Sequence, residues 1–494
     1  MSGPTEEAFR GNVPDEQVEV VNAAERRPFY RKRERIYPKI PRGRYRTLKW
    51  AAMAALLAFY YLLPWVRWDR GLNAPDQAVL VDIPARKFYF FFIEIWPQEI
   101  YYWTGLLIVA ALGLFFISSL FGRVWCGYAC PQTVWTDLFI HVERLVEGDR
   151  NRRMRLDRAP WGLEKIARKA LKHFIWVLIG IATGGAWVFY FADAPSLFAD
   201  LISFEAPPSA YITMAFLTGT TYLFAGHARE QICTYVCPYA RFQSAMFDED
   251  TLLVSYQTHR GEPRGKHKAG ADWEGRGDCI DCKLCVAVCP QGIDIRDGQQ
   301  MECITCALCI DACNGVMKKV GRPGGLIRYD TGRKLDARAA GDAVRVRLFR
   351  ARTIIYASLL VGLTVVILAT LFTRADLDVT VQRDRNPLFV QLSDGSIRNG
   401  YTVKIINKAH AVRDFALTLE GIDGAAVSIT GDAVETDTGA VLTVGPDSLG
   451  SFRMFVKAPL GALEGASTDL TLRIVDAAGA AEDTYDTVFH GPES

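Results

Sequence analysis

The sequence predicts a multi-domain membrane protein: an α-helical transmembrane bundle of about five spans, a small cysteine-rich α+β insert, and a C-terminal all-β sandwich of immunoglobulin-like type. Three observations carry this prediction. Five uncharged apolar runs are long enough, or nearly so, to cross a bilayer, which takes about 20 residues of helix. Eight of the twelve cysteines crowd into 279–313. Residues 374–494 have no cysteine and alternate apolar with polar positions between Gly, Asp and Pro.

A chain of 494 residues has room for two to four domains. Its 57 basic and 55 acidic residues nearly cancel, so bulk charge points to no nucleic-acid partner. The four cysteines outside 279–313 fall into two further motifs, leaving none for a disulfide framework. Such usage suits metal or redox chemistry in a reducing compartment.

The N-terminus to about Ala24 is polar and expected to be mobile. Arg26 to Lys49 carries eleven Lys or Arg and only Glu34, too far into the chain for a cleavable signal peptide. Residues 1–49 read as a basic cytoplasmic segment. The apolar runs follow at Trp50–Val66, Ile100–Gly122, His173–Ala192, Ala206–Ala228 and Thr353–Thr373. The first four form a membrane domain over 50–228, and 352–373 is the fifth span. A shorter run, Phe88–Ile93, is too short to span and reads as an interfacial segment. Tyr101, Tyr102, Trp103, Trp125 and Tyr128 read as interfacial anchors.

Charge predicts the orientation. Arg123 to Lys172 holds eleven basic and six acidic residues, whereas Asp193 to Glu205 holds three acids and no base. Basic loops stay inside. The N-terminus and residues 229–351 are then cytoplasmic and residues 374–494 periplasmic. This agrees with the need of the clustered thiols for a reducing compartment.

Within 229–351 the pattern C-x2-C-x2-C-x3-C occurs twice, from Cys279 and from Cys303, with Pro290 after the first set. This spacing fits two [4Fe-4S] clusters, each held by three close cysteines and a fourth from the other motif. The sets are Cys279, Cys282, Cys285 with Cys313, and Cys303, Cys306, Cys309 with Cys289. Zinc usually takes two well-separated C-x2-C pairs instead. The insert therefore reads as a two-cluster, ferredoxin-like α+β domain.

A second motif, C-x3-C-P, also occurs twice: Cys126, Cys130, Pro131 and Cys233, Cys237, Pro238. Each follows an apolar run that ends on the cytoplasmic side. If helix continues through each motif, both thiols share a face, and the proline disturbs the backbone just beyond. Four convergent thiols suit a soft ion such as Cu(I), dithiol cycling, or contact with another cofactor. The alternative is small buried residues before a helix-ending proline. The histidines are weaker signals. His173 and His227 stand at span ends and more often hydrogen-bond than ligate haem, His141 is a possible addition to a metal site, and His259 and His267 read as solvated. No nucleotide loop is present.

The tail shows period-2 alternation from Tyr401, Phe415, Ser451 and Asp469, which predicts a sandwich of about seven strands without a catalytic constellation.

The order of these parts closely resembles the cytochrome c oxidase accessory proteins of the FixG/RdxA/CcoG type, over nearly the whole chain. The resemblance implies a bacterial inner-membrane protein needed to assemble a cbb-type oxidase. It also implies cupric reductase activity, with copper handled by Cys126, Cys130, Cys233 and Cys237. The implied partners are the lipid bilayer, copper ions, copper chaperones or oxidase subunits, and a cytoplasmic electron donor that the sequence does not identify. Two alternatives stand beside it: a polyferredoxin-type conduit between quinol and a soluble reductase, and a non-enzymatic assembly factor. Asn314 departs from the Pro that many ferredoxins carry after the last cysteine.

Overall fold

The computed structural model describes Val20 and residues 35–492, apart from 72–73, 268–271, 375–376, 432, 437–438, 464, 478 and 480–481. The polar stretch to Ala24 and the basic residues before Arg35 lie outside the described residues. The chain divides into two compact units: residues up to 66 with 77–367, and residues 67–76 with 368 onward.

In the first unit, helix α1 (Arg44–Leu62) begins before the apolar run at Trp50. It does so because Arg46 and Lys49 are buried against Asp137. Arg46 makes two 2.8 Å bonds to that carboxylate, and Lys49 stands at 3.8 Å. The Gly43 cap supplies no side chain for the helix start. The backbone N–H groups of Tyr45 and Arg46 donate instead to Asp311, at 3.3 and 2.8 Å.

The short aromatic run is strand. β1 (Val79–Asp82), β2 (Lys87–Phe90) and β3 (Ile93–Ile95) form an antiparallel sheet, with Val79 opposite Phe90 and Phe88 opposite Ile95. The helices then run α2 (Tyr101–Phe121), α3 (Val124–Tyr128), α4 (Pro131–Glu147), α5 (Arg150–Arg158), α6 (Leu163–Val188), α7 (Ala194–Ser203) and α8 (Pro208–Thr221). α6 and α8 approach closely at a G-x3-G pair. A Cβ at Gly184 would meet Met214 O at 2.6 Å, and one at Gly180 would meet Thr218 Cγ2 at 3.0 Å.

Among the described residues, four helical stretches are long and apolar enough to cross a membrane: Arg44–Trp65, Pro97–Phe121, Leu163–Val188 and Ala351–Phe372. The remaining apolar run is helical but changes pitch. α8 passes into a π-helical turn, Tyr222–Ala228, and a second π turn covers Ile232–Val236. Such turns often mark functional sites.

The insert follows as α9 (Pro238–Ala245), β4 (Leu253–Tyr256), α10 (Thr258–Gly261), α11 (Leu284–Ala287), α12 (Leu308–Lys319), β5 (Ile327–Asp330) and α13 (Gly332–Ala339). β4 and β5 pair antiparallel, Leu253 opposite Asp330. α14 (Ala351–Phe372) closes the unit.

Among the described residues the second unit is a sandwich of ten strands rather than about seven. One sheet runs β10 (Ala426–Thr430), β13 (Ser448–Ala458), β8 (Ile397–Asn407), β6 (Leu377–Arg383), with β7 (Val390–Gln391) also on β8. The other runs β11 (Ala433–Thr436), β12 (Gly439–Val444), β9 (Arg413–Glu420), β14 (Ser467–Asp476), β15 (Glu482–His490). Alternate residues enter the core, as with Tyr401, Val403 and Ile405 from β8 and Leu470, Leu472 and Ile474 from β14. The Tyr401 hydroxyl donates to Val488 O at 3.0 Å and ties the two sheets together.

Candidate functional site

The two halves of the ferredoxin-like motif bend the chain in the same way. Asp281 and Lys283 take φ of 53°, and Thr305 and Ala307 take 55° and 60°. These residues stand two and four places after Cys279 and Cys303. Left-handed residues at matching places curl each loop, and such turns direct backbone N–H groups inward in iron–sulfur sites. A helix follows each loop. α11 carries Cys285 and α12 carries Cys309 and Cys313.

The eight thiols sort into two voids. Cys279, Cys282, Cys285 and Cys313 line one, with Ile280, Leu284 and Arg296. Cys289, Cys303, Cys306 and Cys309 line the other, which Cys285 also touches. Both fourth cysteines thus cross over. The donor set fits soft, thiolate-bound iron clusters. Burial in these apolar walls pushes the thiols of Cys289 and Cys313 up to about 12 and that of Cys303 to about 11. They hold their protons until a metal displaces them. Asn314 is satisfied in its own way, its Oδ1 accepting from Gly325 N at 2.7 Å.

The C-x3-C-P thiols lie in one neighbourhood beside this domain. Cys126 is on α3 and Cys130 is the N-cap of α4. Cys233 is in the second π turn, and Cys237 follows it directly. The charge on Cys233 is coupled to those on Cys130, Cys126 and Cys237. Burial raises the thiol of Cys126, with Arg123 opposing, and pushes Cys233 up to about 12. Among the described residues no three of these sulfurs lie within 4.8 Å of one another.

The expected continuous helices are not seen at these motifs. Gly122 (φ 62°) and Arg229 (φ 37°) break the chain before each motif. Nor do the prolines end helices. Pro131 opens α4 and Pro238 opens α9, positions where a missing N–H costs nothing.

The first motif sits on the second cluster loop. A Cβ at Gly127 would stand 2.6 Å from Ile304 O and 3.0 Å from Cys306 Cα. The Tyr128 hydroxyl donates to Cys306 O at 3.1 Å, so this tyrosine is a tether to the insert rather than an interfacial anchor. Cys126 packs with Val288, Ile304, Cys306, Leu308 and Ala312.

Polar groups missed by sequence reasoning hold this junction. The Cys126 thiol donates to Gln243 Oε1 at 3.1 Å, which also accepts from Arg123 Nε at 3.2 Å. Gln243 Nε2 donates to Ser118 Oγ at 3.0 Å, and Arg123 donates to Met301 O. Glu143 on α4 is buried among three arginines. Arg229 grips both its oxygens at 2.8 and 3.1 Å, Arg153 reaches one at 2.6 Å, and Arg35 stands at 3.2 Å. Burial alone would raise this carboxyl, but the three guanidiniums hold it at about 2. The pair Glu143–Arg229 joins the helix after Cys130 to the residues before Cys233. Arg229 is adjacent to the motif in sequence, but nothing there announces its buried partner.

The histidines stand apart from the thiols in their contacts. His173 and His227 stack at 5.9 Å, and His173 Nδ1 meets the Tyr222 hydroxyl at 2.9 Å. His141 meets the edge of Trp50, and His267 stacks on Trp273.

Comparison with known proteins matches each part. A 4Fe-4S dicluster domain matches residues 228–332, a 4Fe-4S binding domain matches 103–150, and an IG-like fold at the C-terminus of FixG matches 367–492. The nitrogen fixation protein FixG of Rhizobium meliloti (strain 1021) is 50% identical over 504 residues, covering 96% of each chain. Protein RdxB of Cereibacter sphaeroides is 52% identical over 470 residues, covering 94% of this chain and 97% of that one. The crystal structure of a FixG-related protein from Vibrio parahaemolyticus aligns with 23% of this chain and 95% of that chain, at 24% identity and a TM-score of 0.20. The matched domains and apolar helices make this an iron–sulfur redox protein of the membrane. With half its residues shared along almost the full length of these relatives, the chain belongs to the FixG/RdxA family.

Proposed function

We propose that this protein is a cupric reductase that supplies Cu(I) for assembly of a cbb-type cytochrome c oxidase. The observation that carries the reading is the seat of Cys126, Gly127 and Tyr128 on the Cys306 loop. It sets a soft-ion donor group against the residues of a redox domain. The assignment has Cys279, Cys282, Cys285 and Cys313 hold one [4Fe-4S] cluster, and Cys289, Cys303, Cys306 and Cys309 the other. Bound there, the clusters supply single electrons, which suits a one-electron metal reduction.

The chain's own residues do the rest. Cys126, Cys130, Cys233 and Cys237 receive Cu(II) and retain it as Cu(I), the ion thiolates prefer. The thiols of Cys126 and Cys233 are protonated at neutral pH, so copper binding releases protons. Gln243 and Arg123 orient the Cys126 sulfur. Glu143 and Arg229 hold the two motifs together. By the distribution of basic loops, the N-terminus and cluster domain face the cytoplasm of a bacterial inner membrane, and the sandwich faces the periplasm.

The test replaces all four C-x3-C-P cysteines by Ala. Iron content and the cluster spectrum should persist while anaerobic Cu(II) reduction is lost. Copper reduction at the wild-type rate in that variant would sink the proposal. In the converse test, Cys285→Ser and Cys309→Ser should each lower bound iron.

A further inference from the structure

The two cysteine loops match in backbone but not in charge. Cys279 to Cys285 reads C-I-D-C-K-L-C, and Cys303 to Cys309 reads C-I-T-C-A-L-C. Lys283 therefore stands where the second loop has Ala307, and both are left-handed, with φ of 53° and 60°. Each lines the void of its own loop. A second difference comes from the chain between the loops, where Ile295–Asp297 form one 3-10 turn. Ile295 lines the void of Cys289, Cys303, Cys306 and Cys309, whereas its neighbour Arg296 lines that of Cys279, Cys282, Cys285 and Cys313. Two cations thus border the first void. Among the described residues no charged side chain lines the second.

Arg296 is buried and fixed in place. Its Nε donates to Asp294 Oδ1 at 2.9 Å, its Nη2 to Asp294 Oδ2 at 2.6 Å and its Nη1 to Asp281 Oδ1 at 2.6 Å. Neither carboxylate lines the void, so the guanidinium is the charge presented to it. Burial raises the Cys285 thiol, and Arg296 opposes this more strongly than Asp294 adds to it. Lys283 is half-buried. Arg123 favours the Cys303 thiolate, but it donates to Met301 O and is not among the residues lining the second void. Away from bulk water a neighbouring charge acts strongly. The net charge around an iron–sulfur cluster is one of the quantities that set its potential.

We propose that Lys283 and Arg296 poise the two clusters unequally, raising the reduction potential at Cys279, Cys282, Cys285 and Cys313 and leaving the cluster at Cys289, Cys303, Cys306 and Cys309 the stronger reductant. The inference rests on the cluster assignment given above and not on the copper reading. Both are positioning residues: they act by charge and ligate nothing. The first electron to arrive settles away from Cys126, and the second occupies the cluster seated against it. One electron moves in each step, and no bond is made or broken. The thiol group is thereby served by the more reducing of the two clusters.

The test is a redox titration of the full chain in detergent, kept anaerobic, reduced with dithionite and followed by electron paramagnetic resonance. Wild type should hold iron for two clusters and show two midpoints. Lys283→Ala, which copies the second loop, should lower the higher midpoint alone. Arg296→Gln should do the same. Each shift should be about tenfold in the reduction constant, or about 59 mV for one electron. Arg296→Lys, which keeps the charge, should titrate near wild type. Lys283 is only half-buried, so its variant decides the matter even where Arg296→Gln loses iron. The variant lacking all four C-x3-C-P cysteines should keep both midpoints, so failure of the copper reading leaves this one standing. Iron for fewer than two clusters in wild type would sink the cluster assignment beneath it. A single wild-type midpoint, both midpoints falling together, or a Lys283→Ala titration like wild type would overturn the proposal itself.

Discussion

At the scale of single residues, the buried charges decide how the thiols are held. Glu143 has an ordinary value near 4.5 and is held at about 2. A depressed carboxyl stabilises the fold fully above about pH 4.5, and this contribution is lost as pH falls from there toward about 2. It is on the order of 3 kcal/mol. Glu143→Gln leaves three guanidiniums facing a neutral amide and should cost about 3–5 kcal/mol at pH 7. Thermal melts in detergent should show that deficit shrinking as pH drops below 4.5; a pH-independent gap would exclude the mechanism. The eight cluster cysteines were legible because their spacing is itself the chemistry. Glu143, Arg123 and Gln243 were not, because a charge in a loop or on a helix reads as solvated until its partner, about a hundred residues away, is seen.

At the scale of elements, the two C-x3-C-P segments show what local pattern leaves out. Their cysteines were legible, as was the duplication. The backbone was not: an apolar run followed by Cys reads as continuing helix, whereas Gly122 and Arg229 turn the chain before each pair. Proline after an apolar run reads as a disturbance of the helix because it disfavours helix at the residue before it, yet it is equally suited to a first turn. Gly127 was unremarkable in sequence and is the point of closest approach. Gly127→Ala should push the Cys306 loop away and cost about 1–3 kcal/mol, as overpacking does. A lower melting temperature and loss of iron on gentle dialysis would register it. A variant as stable as wild type would mean that the two segments are not locked together.

At the scale of the whole molecule, hydropathy and cysteine spacing were enough to separate bundle, insert and sandwich. The strand count was underestimated because short edge strands such as Val390–Gln391 and Ala433–Thr436 carry too little alternation to be recognised. The sandwich core is built wholly from residues between Leu377 and Phe489. Residues 374–494 alone should therefore give a β-type circular dichroism spectrum and a cooperative melt. Leu442→Ala, at a fully buried position, should lower stability by about 2–5 kcal/mol. A non-cooperative melt of the isolated segment would show that the rest of the chain supports it.

The cap on the first span has a consequence for biogenesis. The start of α1 receives its acceptor from Asp311, 265 residues later in the chain, between two cysteines of one helix. During synthesis that helix start has no such acceptor until the ribosome has passed seven of the eight cluster thiols. Closure of the earliest span thus waits on the folding of the cluster insert. A chain starved of iron would leave its first span unfinished, giving quality-control proteases a signal at the membrane surface.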